Sequence, residues 1–224
     1  MSSARQSTNT RRNADAFVLP QWTFELARPV VGLAGRAIWK LKLIGLENIA
    51  IKDGLIVAAN HQSYMDPFLI SIPIKRTLRY LAWSAAFDWP VVGKFISVLG
   101  AWPLQIEGSD PAAIRRSLQW LREGGAVMIF PEGRRGLPDG SMRKFKAGAV
   151  RMALEASVPI LPVTISGAHM VWSADMRLPR GGEISITYHP LFYVEQHVDE
   201  EARICARRET ERLAAIIGSA LKLK

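Results

Sequence analysis

The apolar run Leu55-Ile-Val-Ala-Ala59, the polar turn Asn60-His-Gln-Ser-Tyr-Met65 and the segment Asp66-Pro-Phe-Leu-Ile-Ser-Ile-Pro-Ile74 together decide the fold. Five uncharged apolar residues without alternation read as a strand buried on both faces, which is the habit of parallel sheets. Asp-Pro is a helix start, because proline presets φ where the first-turn N–H has no helical partner. The stretch therefore predicts strand, turn, helix, with the helix over Asp66–Ile74. Polar residues in such a turn stand at the rim of a sheet, held by rigid elements and open to a ligand.

The same alternation continues on both sides. Lys40–Ile44, Leu78–Trp83, Ala126–Phe130, Val158–Ile165 and Glu183–Tyr188 read as strands, and Lys146–Ala156 and Asp199–Leu223 read as helices. Between them Asp110-Pro111 marks a helix with an aspartate N-cap. Ile114, Leu118 and Leu121 fall on one of its faces, and Gly124-Gly125 stops it. Strands separated by helices predict an α/β fold: a mixed, mostly parallel sheet flanked by helices, with function in the loops at the strand ends.

The chain has 224 residues, enough for one such domain. Its 49% hydrophobic content excludes a disordered polymer. Twenty-nine Lys and Arg against twenty Asp and Glu give a net charge of +9, which points to an anionic partner: nucleic acid, a phosphorylated substrate or an acidic membrane surface. The single cysteine, Cys205, excludes an internal disulfide and a cysteine-based zinc site, and reads as a packed thiol. Ala156–Ala174 lacks charged residues over nearly a bilayer's span, but Pro159, Pro162, Gly167 and His169 argue against a transmembrane helix there.

Residues 1–16 read as a disordered tail without the apolar core of a secretory signal. Residues 17–40 combine Trp22, Phe24, Leu26, Val30, Leu33 and Trp39 with Arg28, Arg36 and Lys40, an amphipathic segment suited to a membrane interface or to covering the sheet. Pro29 is expected to start or kink a helix there. Residues 41–224 form the domain proper.

Two turns carry chemistry. His61 and Asp66 stand five apart, so an aspartate at a helix start can reach back to the imidazole, fix its tautomer and leave the other ring nitrogen to take a proton. No serine-nucleophile elbow and no second histidine at metal-ligand spacing accompany them, which suggests deprotonation of a substrate hydroxyl. The same residues also suit a capping aspartate beside a hydrogen-bonded loop histidine. In Phe130-Pro-Glu-Gly-Arg-Arg-Gly136, Gly133 permits close backbone approach, and Arg134 and Arg135 offer planar forks matched to phosphate. Six basic residues between Arg134 and Arg151, Lys146 among them, face one acid, Asp139. Aromatics are not interleaved with these charges as a nucleic-acid stacking platform requires, so no nucleic-acid partner is expected.

Asn60-His61-x4-Asp66, Phe130-Pro-Glu-Gly-x-Arg135, Phe145-Lys-x-Gly148 and Val158-Pro-Ile-x-Pro-Val163, in this order, resemble the glycerolipid acyltransferases, over roughly residues 40–190. The resemblance implies His61 as general base on the acceptor hydroxyl, Asp66 as its orienting partner, and Glu132, Gly133 and Arg135 around the acceptor; Arg134 and Lys146 of the basic cluster are expected to bind substrate beside them. It implies acyl-CoA or acyl-carrier protein as co-substrate, a lysophospholipid such as 1-acylglycerol 3-phosphate as acceptor, no metal or prosthetic group, and work at the cytoplasmic face of a membrane as a peripheral or monotopic protein. It also implies that Val158–Val163 supports the fold and donor access.

Two departures bear on the acceptor. Where the family commonly has Gly-x5-Arg, this chain has Gly100-Ala-Trp-Pro-Leu-Gln-Ile106, and Trp83-Ser-Ala-Ala-Phe87 replaces a Lys/Glu-rich stretch. Arg134 stands where Thr or Val is usual and offers a substitute cation. Another hydroxylated lipid such as a lyso-ornithine lipid, water in a hydrolase, and a non-catalytic basic membrane-binding protein are the alternatives. His169, His189 and His197 read as structural, the aromatics Trp83, Phe87, Trp89, Phe95 and Trp102 as core or acyl-chain contacts, and the charges of the C-terminal helix as a solvated face.

Overall fold

A computed structural model describes residues 19–50, 52–105, 110–173, 176 and 178–222. The tail 1–16, residues 17 and 18, and Ile106 lie outside these described residues. Helix α1 (Gln21–Trp39) leads into strand β1 (Lys42–Ile44). Strand β2 (Leu55–Ala59) feeds helix α2 (Asp66–Ser71), and β3 (Leu78–Trp83) is followed by α3 (Pro90–Val98) and β4 (Ala101–Leu104). Then come α4 (Pro111–Arg122), β5 (Ala126–Ile129), α5 (Gly148–Ala156) and β6 (Ile160–Ser166). The short α6 (Ala168–Trp172), β7 (Ser185–Tyr188) and α7 (Ala202–Ser219) complete the chain.

The seven strands form one sheet in the order β1-β7-β6-β2-β5-β3-β4. All neighbours run parallel except β6 and β7. This is the mixed, mostly parallel sheet read from the sequence. Every residue of β2 is buried because helices cover both faces of the sheet. Leu55, Val57 and Ala59 pack with Leu69 and Ile70 from α2, with Ile74 just beyond it, and with Trp39 from α1. On the other face, Ile56 and Ala58 pack with Leu118 and Leu121 of α4, Val150 and Ala153 of α5, and Leu213 and Ile217 of α7.

Local chemistry sets the element ends. The Asp110 carboxylate accepts the N–H of Ala113 at 3.1 Å, capping α4 as its sequence indicates. Lys40 ends α1 in the left-handed region (φ 42°), so the strand expected from Lys40 starts at Lys42. The helix expected from Lys146 starts at Gly148, and the C-terminal helix occupies 202–219 rather than 199–223. Pro29 neither starts nor ends α1; the helix runs through it. Among the described residues no helix is long and apolar enough to cross a membrane.

Some side chains depart from their sequence reading. Glu209 of α7 is fully buried and holds both Arg208 and Arg212, so the charges of this helix are more than a solvated face. Phe87 and Trp102 are core residues, whereas Trp83, Trp89 and Phe95 are about half exposed. Cys205 is fully buried, and burial raises its thiol pKa, in keeping with a packed thiol.

Candidate active site

Because β2 lies between β6 and β5, the residues that follow these three strands converge at one rim. Asn60, the first residue past β2, locks the rim across β6. Its Nδ2 donates to the Ile165 carbonyl at 2.9 Å and its Oδ1 accepts the Ile165 N–H at 2.8 Å. A side chain thus replaces one rung of the ladder where the strand ends, and His61 leaves the sheet from a fixed point.

His61 Nδ1 lies 2.9 Å from Asp66 Oδ2. The same carboxylate oxygen accepts the backbone N–H groups of Gln62 (2.5 Å) and Ser63 (2.8 Å). Asp66 is completely buried, while the imidazole keeps 18% of its surface open. A buried carboxylate with N–H donors from its own turn has one orientation available, and it imposes one on the histidine. With Nδ1–H donated to Asp66, Nε2 is the ring nitrogen that can accept a proton. Phe130, the residue after β5, stacks on the imidazole with ring centroids 4.0 Å apart and planes 19° apart. The ring is therefore held at its edge by Asp66 and on one face by Phe130.

Glu132 joins the two turns. Its Oε1 accepts the N–H of His61 at 2.8 Å and its Oε2 the N–H of Arg143 at 2.7 Å. Burial raises its pKa above the usual value of 4.5, against the lowering effect of these two backbone donors. Both carboxylate oxygens are engaged within the protein, so the geometry gives Glu132 the work of a clamp. The Gly136 N–H donates to the His61 carbonyl at 2.6 Å, a second tie between the turns. Sequence patterning could not reveal these ties, since they join residues 71 and 75 positions apart.

Gly133 has φ +72°, and a side chain there would press on Lys146, whose Nζ lies 3.1 Å from the position of an added Cβ. Lys146 is thereby placed over the turn, and its N–H donates to the Pro131 carbonyl at 2.9 Å. Arg135 lays its guanidinium over the Tyr64 ring, 3.9 Å from the centroid, with Nε buried and unpartnered. Tyr64 in turn lies against Trp172. Arg134 is exposed at the rim. The structure brings His61, Asp66, Glu132, Gly133, Arg135 and Lys146 to one rim; Phe130, Gln62, Tyr64 and Asn60 are the contributors whose roles pattern alone did not separate from packing.

The rim is completed by a third segment. Gln62 bridges the Gly140 carbonyl (2.9 Å) and the Ala168 N–H (3.1 Å). Gly140 has φ +82°, and a Cβ there would fall 2.4 Å from the ring of the buried His169. His169 thus packs structurally, and burial lowers its pKa from the usual 6.5. His189 is also structural, with Nε2 2.8 Å from Thr164 Oγ1.

A family model described as Acyltransferase matches residues 40–166. A 1-acyl-sn-glycerol-3-phosphate acyltransferase of Borreliella burgdorferi is 31% identical over 157 residues, covering 69% of this chain and 62% of the relative. Chloroplastic proteins of the same name from Brassica napus and Arabidopsis thaliana are 27% and 29% identical, over 69% and 65% of this chain. The chain spans 46% and 39% of those two relatives' lengths. The crystal structure of the 1-acyl-sn-glycerophosphate (LPA) acyltransferase PlsC from Thermotoga maritima superposes with a TM-score of 0.63 at 24% identity, covering 88% of this chain and 82% of that one, and so shares the fold. With its family model spanning β1 to β6 and both chemical turns, this chain belongs to the Acyltransferase family.

Proposed function

We propose that the protein transfers a fatty acyl group from acyl-CoA or acyl-carrier protein to the free hydroxyl of a lysophospholipid, with 1-acylglycerol 3-phosphate giving phosphatidic acid. The observation that carries this reading is the 2.9 Å contact between a part-exposed imidazole and a fully buried carboxylate. His61 Nε2 takes the hydroxyl proton as the acceptor oxygen attacks the thioester carbonyl carbon. The C–S bond then breaks, and the imidazolium returns its proton to the departing thiolate. Asp66 stabilises the charged imidazole between these events. The reaction as drawn calls on no metal or prosthetic group, only on the two substrates.

Arg134, Arg135 and Lys146 bring positive charge to this rim for an acceptor phosphate, with Gly133 leaving backbone open to approach. Relatives named for 1-acyl-sn-glycerol-3-phosphate support a phosphorylated acceptor.

The protein works at a membrane surface, at its cytoplasmic face. Trp22, Leu26, Val30 and Leu33 recur along one side of α1 and are all exposed. Val91, Val92 and Phe95 on α3 are exposed too. The segment before α1 is tied to the end of α3 by the Leu19 N–H donating to the Val98 carbonyl at 3.0 Å. Phe95 also meets Phe68 of α2, beside Asp66. An apolar face of this kind beside the catalytic turn suits an enzyme whose substrate is drawn from a bilayer.

The test is an acceptor panel: acyl-CoA with 1-acylglycerol 3-phosphate, a neutral lyso-lipid or a lyso-ornithine lipid, with mass spectrometry of the products. Phosphatidic acid as the main product supports the proposal. Thiol release without any acceptor would identify a hydrolase instead.

A further inference from the structure

At the end of α2 remote from Asp66 lies a concavity of about 610 Å³, formed between α1 and the α2 exit. Arg28, Arg36 and Lys75 line it with one acid, Glu25. Its apolar surface comes from Leu33 and Ile72, and Gly32 leaves it open. Arg28 is half buried; its Nη2 donates to the Arg76 carbonyl at 3.3 Å, and its Nη1 is shielded from solvent with no hydrogen-bond partner.

Leu33 belongs both to this groove and to the exposed apolar side of α1. The groove therefore adjoins the side of α1 that would meet the acyl region of a bilayer, with its cations on the flank of that side. Charge and position together favour one occupant. From these observations we infer that the α1–α2 groove seats the phosphate headgroup of an anionic bilayer phospholipid, at a site separate from the catalytic turn. The phosphate oxygens meet Arg36 and Lys75, Arg28 adds positive charge from the groove wall, and the acyl chains run along Leu33 into the bilayer. The inference rests on membrane docking through α1 but not on acyl transfer.

The experiment is sedimentation of the full chain with phosphatidylcholine vesicles, with and without phosphatidylglycerol, at constant ionic strength. Three variants are compared with the native protein: Arg36→Ser with Lys75→Ser, Gly32→Leu, and a control, Arg203→Ser with Arg207→Ser, on exposed positions of α7. Removing two groove cations is expected to weaken binding to the anionic vesicles about tenfold to thirtyfold, with neutral-vesicle binding unchanged. Gly32→Leu keeps the charge and fits the backbone, since an added Cβ meets only Ile72 at 3.5 Å, but its side chain fills the groove. It should reproduce most of that loss, whereas the control should not.

An equal loss in the control would reduce the effect to net charge and overturn the site. So would an unaffected Gly32→Leu variant, or release from anionic vesicles by inorganic phosphate, which would assign the groove to the free anion. Native protein that binds neither vesicle would instead overturn docking through α1, an outcome distinct from binding both without preference.

Discussion

The Glu132 carboxylate reaches from the turn after β5 to the backbone of His61 after β2, its Oε1 2.8 Å from the His61 nitrogen. Its other oxygen holds Arg143. One side chain thus fixes the His61 backbone and the loop that returns to α5. The family resemblance implies Glu132 beside the acceptor; in the structure its carboxylate also joins two rim segments. Glu132→Gln presents an NH2 group to one of two N–H donors that need an acceptor. It should cost about 1–3 kcal/mol of stability, read as a lower midpoint in chemical denaturation. Acyl transfer should fall mainly in kcat, because the displaced group is the imidazole.

Phe130 gives a second way to loosen the histidine. Phe130→Leu keeps an apolar side chain but removes the flat ring that stacks at 4.0 Å. The expected result is a fall in kcat with KM for the acceptor little changed. A change confined to KM would show that Phe130 touches substrate rather than orients His61.

Arg134 tests the missing cation. Ile106 stands where the resemblance leads one to expect arginine, and Arg134 is exposed at the rim beside Gly133. Arg134→Thr should raise KM for a phosphorylated acceptor by roughly tenfold, the scale of one charge-assisted contact, and leave a neutral acceptor's KM nearly unchanged. Steady-state kinetics on both acceptors measure the difference.

Two structural histidines, the buried His169 and the part-buried His189, set a pH dependence of stability. Burial lowers the pKa of His169 and of His189 from 6.5. The folded chain therefore binds fewer protons than the unfolded chain as pH falls through this range, so stability is lost below about pH 6.5 and held above it. Thr164 Oγ1 donates to the Ile217 carbonyl, so it accepts from His189 Nε2–H. His189→Gln can keep that donor without titrating. The melting temperature of the native chain should fall between pH 7.5 and 5.5, and fall less in His189→Gln.

Most of the fold is visible in the sequence because β2, β5 and β6 are short apolar runs that only a doubly covered sheet accommodates. The His61–Asp66 pair is visible because its five-residue spacing is local. Strand β4 is not. Ala101-Trp-Pro-Leu104 holds a proline that argues against a strand, and the sheet tolerates it because β4 is an edge strand. The start of α3 at Pro90 hides inside an aromatic run that reads equally well as core. The partners of Glu132 are hidden for a deeper reason: they are fixed by the adjacency of β2 and β5, which no local pattern encodes. The same holds for Arg135, whose stack on Tyr64 depends on two turns meeting at the rim.

The central claim is that His61 removes the acceptor's proton. The direct measurement is phosphatidic acid formation from acyl-CoA and 1-acylglycerol 3-phosphate by His61→Ala, beside its circular dichroism spectrum and unfolding curve. The expected result is a native-like spectrum and cooperative unfolding with turnover lost by at least about a hundredfold. Turnover at the native rate by a folded His61→Ala protein would contradict the account.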